Sequence, residues 1–101
     1  MNDTAEKSCA IIAAVGAAKG CFIEAMRYAR DNQIEDANKV YEEGVQNYNV
    51  GHQVHHELVT QFANGVDVGC DILMVHAECQ MMSAEDFMVL SKEMIDAAEG
   101  K

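Results

Sequence analysis

In the last third of the chain Asp71, Glu78, Glu85, Lys92 and Glu99 recur at seven-residue steps. A helix turns about 100° per residue, so these charges line up as one wet seam. Gly69, Ile72, His76, Cys79, Ser83, Phe87, Leu90 and Met94 share a second stripe, and Cys70, Met74, Ala77, Met81, Ala84, Met88 and Ile95 a third. This pattern predicts a helix over about 68–99 with two apolar stripes and one narrow polar one. A three-helix monomer needs only one such stripe. The second predicts a neighbouring subunit.

Upstream, polar punctuation divides the chain twice. At Asp31-Asn32-Gln33, Asn32 is expected to N-cap the next helix, with Glu35 at the capping-box spacing. Asn64-Gly65 is a helix C-terminal signal, because both residue types tolerate left-handed backbone, and Asp67 is expected to N-cap the third helix. Helices are therefore expected over about 3–31, 33–63 and 68–99. Links this short make neighbours antiparallel, so the expected fold is all-α: an antiparallel three-helix up-down bundle in a single domain over residues 1–101. Gly44 and Gly51 lie seven apart on one face of the second helix. A glycine inside a helix costs about 0.5–1 kcal/mol relative to alanine, so this pair predicts close approach by another helix.

Composition supports helices and narrows the partners. The chain has 101 residues, no proline, and many Ala, Met and Val side chains. Seventeen acidic residues against seven basic give a net charge of −10, which argues against a nucleic-acid partner. Cys9, Cys21, Cys70 and Cys79 show no CxxC pair and read as free thiols of a reducing compartment. The apolar run over residues 8–18 is preceded by Asp3 and Glu6, the wrong flank for a signal peptide, and it is far short of the ~20 residues that span a bilayer. A soluble cytoplasmic protein is expected.

Two histidine arrangements carry chemistry. His76 stands midway in the apolar run DILMVHAECQMM. It is either a core histidine tied to a polar neighbour or a group that accepts and hands on another group near neutral pH. His52, His55 and His56 have spacings that suit a metal, but no helix offers an obviously matching carboxylate, and interface or surface roles are commoner.

The run Val75-His76-Ala77-Glu78-Cys79-Gln80-Met81-Met82 resembles the V-H-A-Q-D-H-x-M signature of the enzyme IIA components of lactose/cellobiose-type sugar phosphotransferase systems. Gly16 and Lys19 fit the G-x-A-[RK] stretch of that family's first helix. Gly51-His52-Gln53-Val54-His55 stands against its A-H-x-x-Q, with the spacing from His52 to His76 kept without a gap. The resemblance implies a homotrimer of antiparallel three-helix subunits. It implies that His76 receives a phosphoryl group from the histidine-containing phosphocarrier protein and passes it to a cysteine of a IIB component, after which the membrane IIC component moves the sugar. Ile72, Leu73 and Cys79 are expected to limit water at His76. Gln80, one turn on, is the local candidate for a phosphate contact.

Three positions depart from the signature. Cys79 replaces an aspartate, so neither a metal nor any other cofactor is expected; Glu78 and Gln80 replace a glutamine and a histidine. Two other readings stay open. One is a IIA-like trimeric scaffold or regulator with impaired phosphotransfer; the other is a small metal-binding bundle using His52, His55, His56 and perhaps Cys79.

Overall fold

The computed structural model describes residues 2–101. Three helices, α1 (Asp3–Arg30), α2 (Ile34–Ala63) and α3 (Ile72–Ala98), run up, down and up in a bundle about 48 Å long.

Each helix buries one stripe, and in α1 it alternates steps of three and four. In α1 this stripe is Ser8, Ile11, Val15, Ala18, Phe22, Ala25 and Ala29. That period of 3.5 keeps one seam facing its partners along the whole bundle, as in a coiled coil. The core is mostly apolar: Ile11, Val15 and Phe22 pack with Leu58, Ala77 and Met81, and a second cluster joins Ala25 and Ala37 to Ile95, with Ser8 and Ser91 the buried polar side chains. α1 as a whole is long and apolar enough, by length and composition, to cross a membrane, which exceeds what residues 8–18 led us to expect. The reason is that its outward side carries small residues, Ala10, Ala13, Gly16 and Ala17, where a solvated helix would be polar.

The paired glycines sit at the α1–α2 contact. A Cβ on Gly44 would lie 2.6 Å from a Phe22 ring carbon, and one on Gly51 would lie 2.7 Å from Val15 Cγ1. Real Cβ atoms do not approach so closely, so the helices come together only because these side chains are missing.

The other contact of α2, with α3, carries polar pairs beside the shared core. His55 Nε2 meets Glu78 Oε1 at 2.6 Å, Tyr48 Oη donates to Glu85 at 3.5 Å, and Asn38 Nδ2 donates to Glu99 at 3.0 Å. Burial pushes up the hydroxyl of Tyr41, which lies between Tyr48 and Asn38 along α2, against the pull of the Lys92 ammonium. Three charges of the seam, Glu78, Glu85 and Glu99, thus meet polar partners on α2, while Lys92 pairs with Asp96 on α3 itself and Asp71 caps the helix.

Helix ends correct two of the capping expectations. Asn32 does not cap α2. Its φ of 58° is left-handed, and it ends α1: its N–H donates to Ala29 O and that of Gln33 to Tyr28 O, closing both loops of a Schellman motif. Gln33 takes the N-cap position with no side-chain bond, so Glu35 completes no capping box. Gly65 (φ 82°) ends α2 in the same way, as Asn64-Gly65 led us to expect.

Asp67 does not cap α3 either. Its carboxylate accepts from Gly69 N–H at 2.9 Å, and the left-handed Gly69 (φ 72°) interrupts any helix there. Asp71 caps instead, accepting from Met74 N–H at 3.0 Å, so α3 begins at Ile72 rather than near residue 68. This shortened start places His76 in the second turn of α3.

Candidate functional site: an exposed histidine at the start of the third helix

His76 is exposed, whereas its neighbour Ala77 is buried against α1 and α2. The core-histidine alternative therefore falls. The two apolar stripes of α3 have different fates. Ala77, Met81, Ala84 and Ile95 from one of them fill the bundle. The other, carrying His76 and Cys79, looks outward together with Ile72, Val75, Met82, Leu90 and Met94.

The expectation that Ile72, Leu73 and Cys79 shelter His76 is not met within one chain. Ile72 is 87% exposed and Cys79 is exposed; Leu73 alone is half-buried. Ile72 and Cys79 share the outward stripe, and the core is already filled from the adjacent one. An imidazole so placed is open to attack from, or delivery to, another molecule. Gln80 lies half-buried one turn further along α3.

Every histidine lies in this half of the bundle, but the structure separates their roles. His55 is engaged by Glu78, His52 has its ring centroid 6.0 Å from that of Tyr48, and His56 is exposed. Among the described residues no three His, Cys, Asp or Glu side chains come together to hold a metal. The trio of the metal-bundle reading is thereby dispersed.

The charges near this end are mostly negative. Lys7 is tied to Asp3 and Gln61, each at 3.1 Å, and to Glu57 at 3.9 Å. Its ammonium, with Gln61, holds the Asp3 carboxyl below the usual range. Burial, with Glu85 beside it, pushes the Tyr48 hydroxyl up, so the phenol keeps the proton it donates to Glu85.

Sequence pattern missed one feature, the groove where α2 ends and α3 begins. Phe62 stands there 70% exposed, beside Val59, Val68 and Met74. The signal was present in a large aromatic placed just before the Asn64-Gly65 helix stop.

The fold and site define a class: a three-helix α-bundle with an exposed histidine, His76, near the start of its last helix. Comparison with known proteins narrows the class. Residues 6–99 match the family described as the PTS system, lactose/cellobiose specific IIA subunit, and the chain belongs to that family. It is therefore a sugar-specific IIA component of a phosphotransferase system.

Among relatives, the galactose-specific EIIA component of Lactococcus lactis subsp. cremoris is 32% identical over 85 residues, which is 84% of this chain and 73% of that one. The oligo-beta-mannoside-specific EIIA component of Bacillus subtilis is 26% identical over 86 residues, 85% of this chain and 78% of that one. The crystal structure of the PTS cellobiose specific enzyme IIA from Bacillus anthracis superposes with a TM-score of 0.94, at 23% identity, covering 99% of this chain and 92% of that one. That likeness bears out the three-helix fold.

Proposed function

We propose that this chain is a phosphocarrier in which His76 accepts a phosphoryl group from the histidine-containing phosphocarrier protein and passes it to a cysteine of a IIB component. The observation that carries the reading is the exposure of His76 on an otherwise apolar outward stripe, at the position of the signature histidine. In each step the acceptor's lone pair attacks phosphorus in line. A new bond to phosphorus forms as the donor's breaks, so the donor leaves as a free imidazole in the first step and His76 does so in the second. Gln80 contributes a donor to the phosphoryl oxygens.

The same reading makes the 101 residues one IIA domain, active as a homotrimer in the cytoplasm and linked to a membrane IIC component through IIB. The outward stripe of α3 supports the trimer, since covering Ile72, Leu90 and Met94 removes apolar surface from water. A neighbouring subunit on that stripe is also what would exclude water from His76. Cys79 in place of an aspartate supports an assembly that needs no metal.

Phosphoenolpyruvate with the two general phosphotransferase proteins tests the assignment. The wild-type chain should gain one acid-labile phosphoryl group and His76→Ala none. Label on His52 or His55 would refute the role of His76. No label on wild type, with a verified donor, would favour the second reading, a IIA-like scaffold or regulator. That reading draws on the departures at Glu78, Cys79 and Gln80.

A further inference from the structure

The departures from the family motifs are not independent of one another. Glu78 stands where the third-helix motif has glutamine, and His55 stands where the second-helix motif has glutamine. In the structure these two residues touch, with His55 Nε2 at 2.6 Å from Glu78 Oε1 across the α2–α3 contact. Where the motifs supply two neutral amides, this chain supplies an imidazole and a carboxylate.

We propose that His55 is a positioning residue for the phosphoryl site, holding the Glu78 carboxylate against α2 and balancing its charge. The proposal rests on the reading of His76 as phosphoryl acceptor.

The physical case begins with what Glu78 does if left alone. It lies two residues after His76, about 200° around the helix, so their charged ends are on the order of 10 Å apart. At that separation, beside partly buried protein, a carboxylate still repels a phosphoryl dianion, and salt screens the effect only in part. Among the described residues His55 is the one basic group within ion-pair distance of Glu78. The nearby cation on α1, Lys7, is already shared by Asp3, Glu57 and Gln61. On α3 the charged neighbours along the seam, Asp71 and Glu85, are acidic, and Glu85 is bonded to Tyr48. His52 and His56 complete the titrating groups on this stretch of α2.

The geometry adds a second effect. The His55 side chain is 21% exposed and that of Glu78 45%, so the bond is partly shielded and fixes the carboxylate on the α2 side of the helix. A protonated His55 makes an ion pair there, and a neutral one with its proton on Nε2 still donates a hydrogen bond. The carboxylate is held in either state, and its charge is balanced in the first.

The test is a substitution cycle read at His76 itself. The His76 imidazole titration, followed by NMR in the unphosphorylated protein, should shift when Glu78 is neutralised, and the shift should depend on residue 55. In a His55→Ala background, Glu78→Gln should lower the His76 midpoint by about 0.5 pH units; with His55 present the same change should do much less. Equal shifts in the two backgrounds would overturn the proposal, because a merely structural role predicts additivity.

The second readout is phosphoryl occupancy at equilibrium with a fixed ratio of donor protein. It should fall about threefold in His55→Ala and return in His55→Gln with Glu78→Gln, which restores two amides. Occupancy that stays low in that double variant would also overturn it. If wild type takes up no phosphoryl group at all, the carrier reading fails, and the His76 titration still decides whether His55 balances Glu78.

Discussion

α2 makes two contacts of opposite character. Against α1 it is dry and close, with Gly44 and Gly51 admitting Phe22 and Val15 to distances that no side chain would permit. Against α3 it is edged by three polar pairs, His55–Glu78 at one end, Tyr48–Glu85 and, at the other end, Asn38–Glu99. The first contact supplies burial and so stability. The pairs of the second contribute little net energy, since half-exposed ones are worth about 0–1 kcal/mol each, but they fix the register of α3. Because the core is filled from the stripe of α3 that carries Ala77, Met81, Ala84 and Ile95, its outward stripe is left uncovered. Both His76 and a row of exposed apolar side chains, Ile72, Leu90 and Met94, lie on that stripe.

The contrast breaks most visibly at the α1–α2 contact. Phe22→Ala should remove about 3–5 kcal/mol of stability, because a fully buried ring leaves a void that helices this close cannot fill. Gly44→Ala attacks the same place from the other side. Overpacking against the Phe22 ring and Cys21 Cβ costs about 1–3 kcal/mol, offset by about 0.5–1 kcal/mol of better helix propensity. Urea unfolding should rank Phe22→Ala well below Gly44→Ala, and both below wild type. A neutral Gly44→Ala would mean that the α1–α2 contact gives way, and the comparison would lose its first half.

Substitutions on the outward stripe should do the reverse. Leu90 and Met94 are exposed in one chain, so changing each to lysine should move the stability of an isolated subunit by no more than about 0.5 kcal/mol. Assembly should suffer, because two charges per subunit would enter a shared apolar surface. Sedimentation equilibrium should return a mass near three chains for wild type and lower masses for the variant. An unchanged assembly mass in the variant would place the subunit contact elsewhere.

Much of this architecture was legible in the pattern. The seven-residue charges of α3 predicted a single polar seam, and the paired glycines predicted a close helix contact. The capping residues misled, for a chemical reason. Asparagine and aspartate serve helix starts, helix ends and local turns alike, so Asn32 closes α1 where it was expected to open α2, and Asp67 bonds Gly69 while Asp71 does the capping. His76 was legible because it interrupts an apolar run. Its exposure was not, since periodicity separates two stripes without saying which one faces the core. The partner of Glu78 was illegible from α3 alone: charge periodicity defines a seam, and only the fold decides which residues of another helix meet it.

The smallest effect sharpens the polar half of the comparison. At the end of the α2–α3 contact far from His76, Glu99 accepts from Asn38 Nδ2 at 3.0 Å and pairs with Lys101 Nζ at 2.7 Å. The Lys101 ammonium first, and then the Asn38 amide, hold its carboxyl below the usual range. A folded value below the unfolded one means that the unfolded chain binds more protons through that window, so stability rises with pH there. The contribution is present above the unfolded carboxylate range, near pH 4.5, and is lost as pH falls through the folded value. Glu99→Gln should therefore lower the Tm slightly at pH 7, and the gap should close towards pH 3. A gap that persists in acid would mean that the ion pair with Lys101 adds nothing, and that the α2–α3 contact here is held by a hydrogen bond that does not depend on the charge of residue 99.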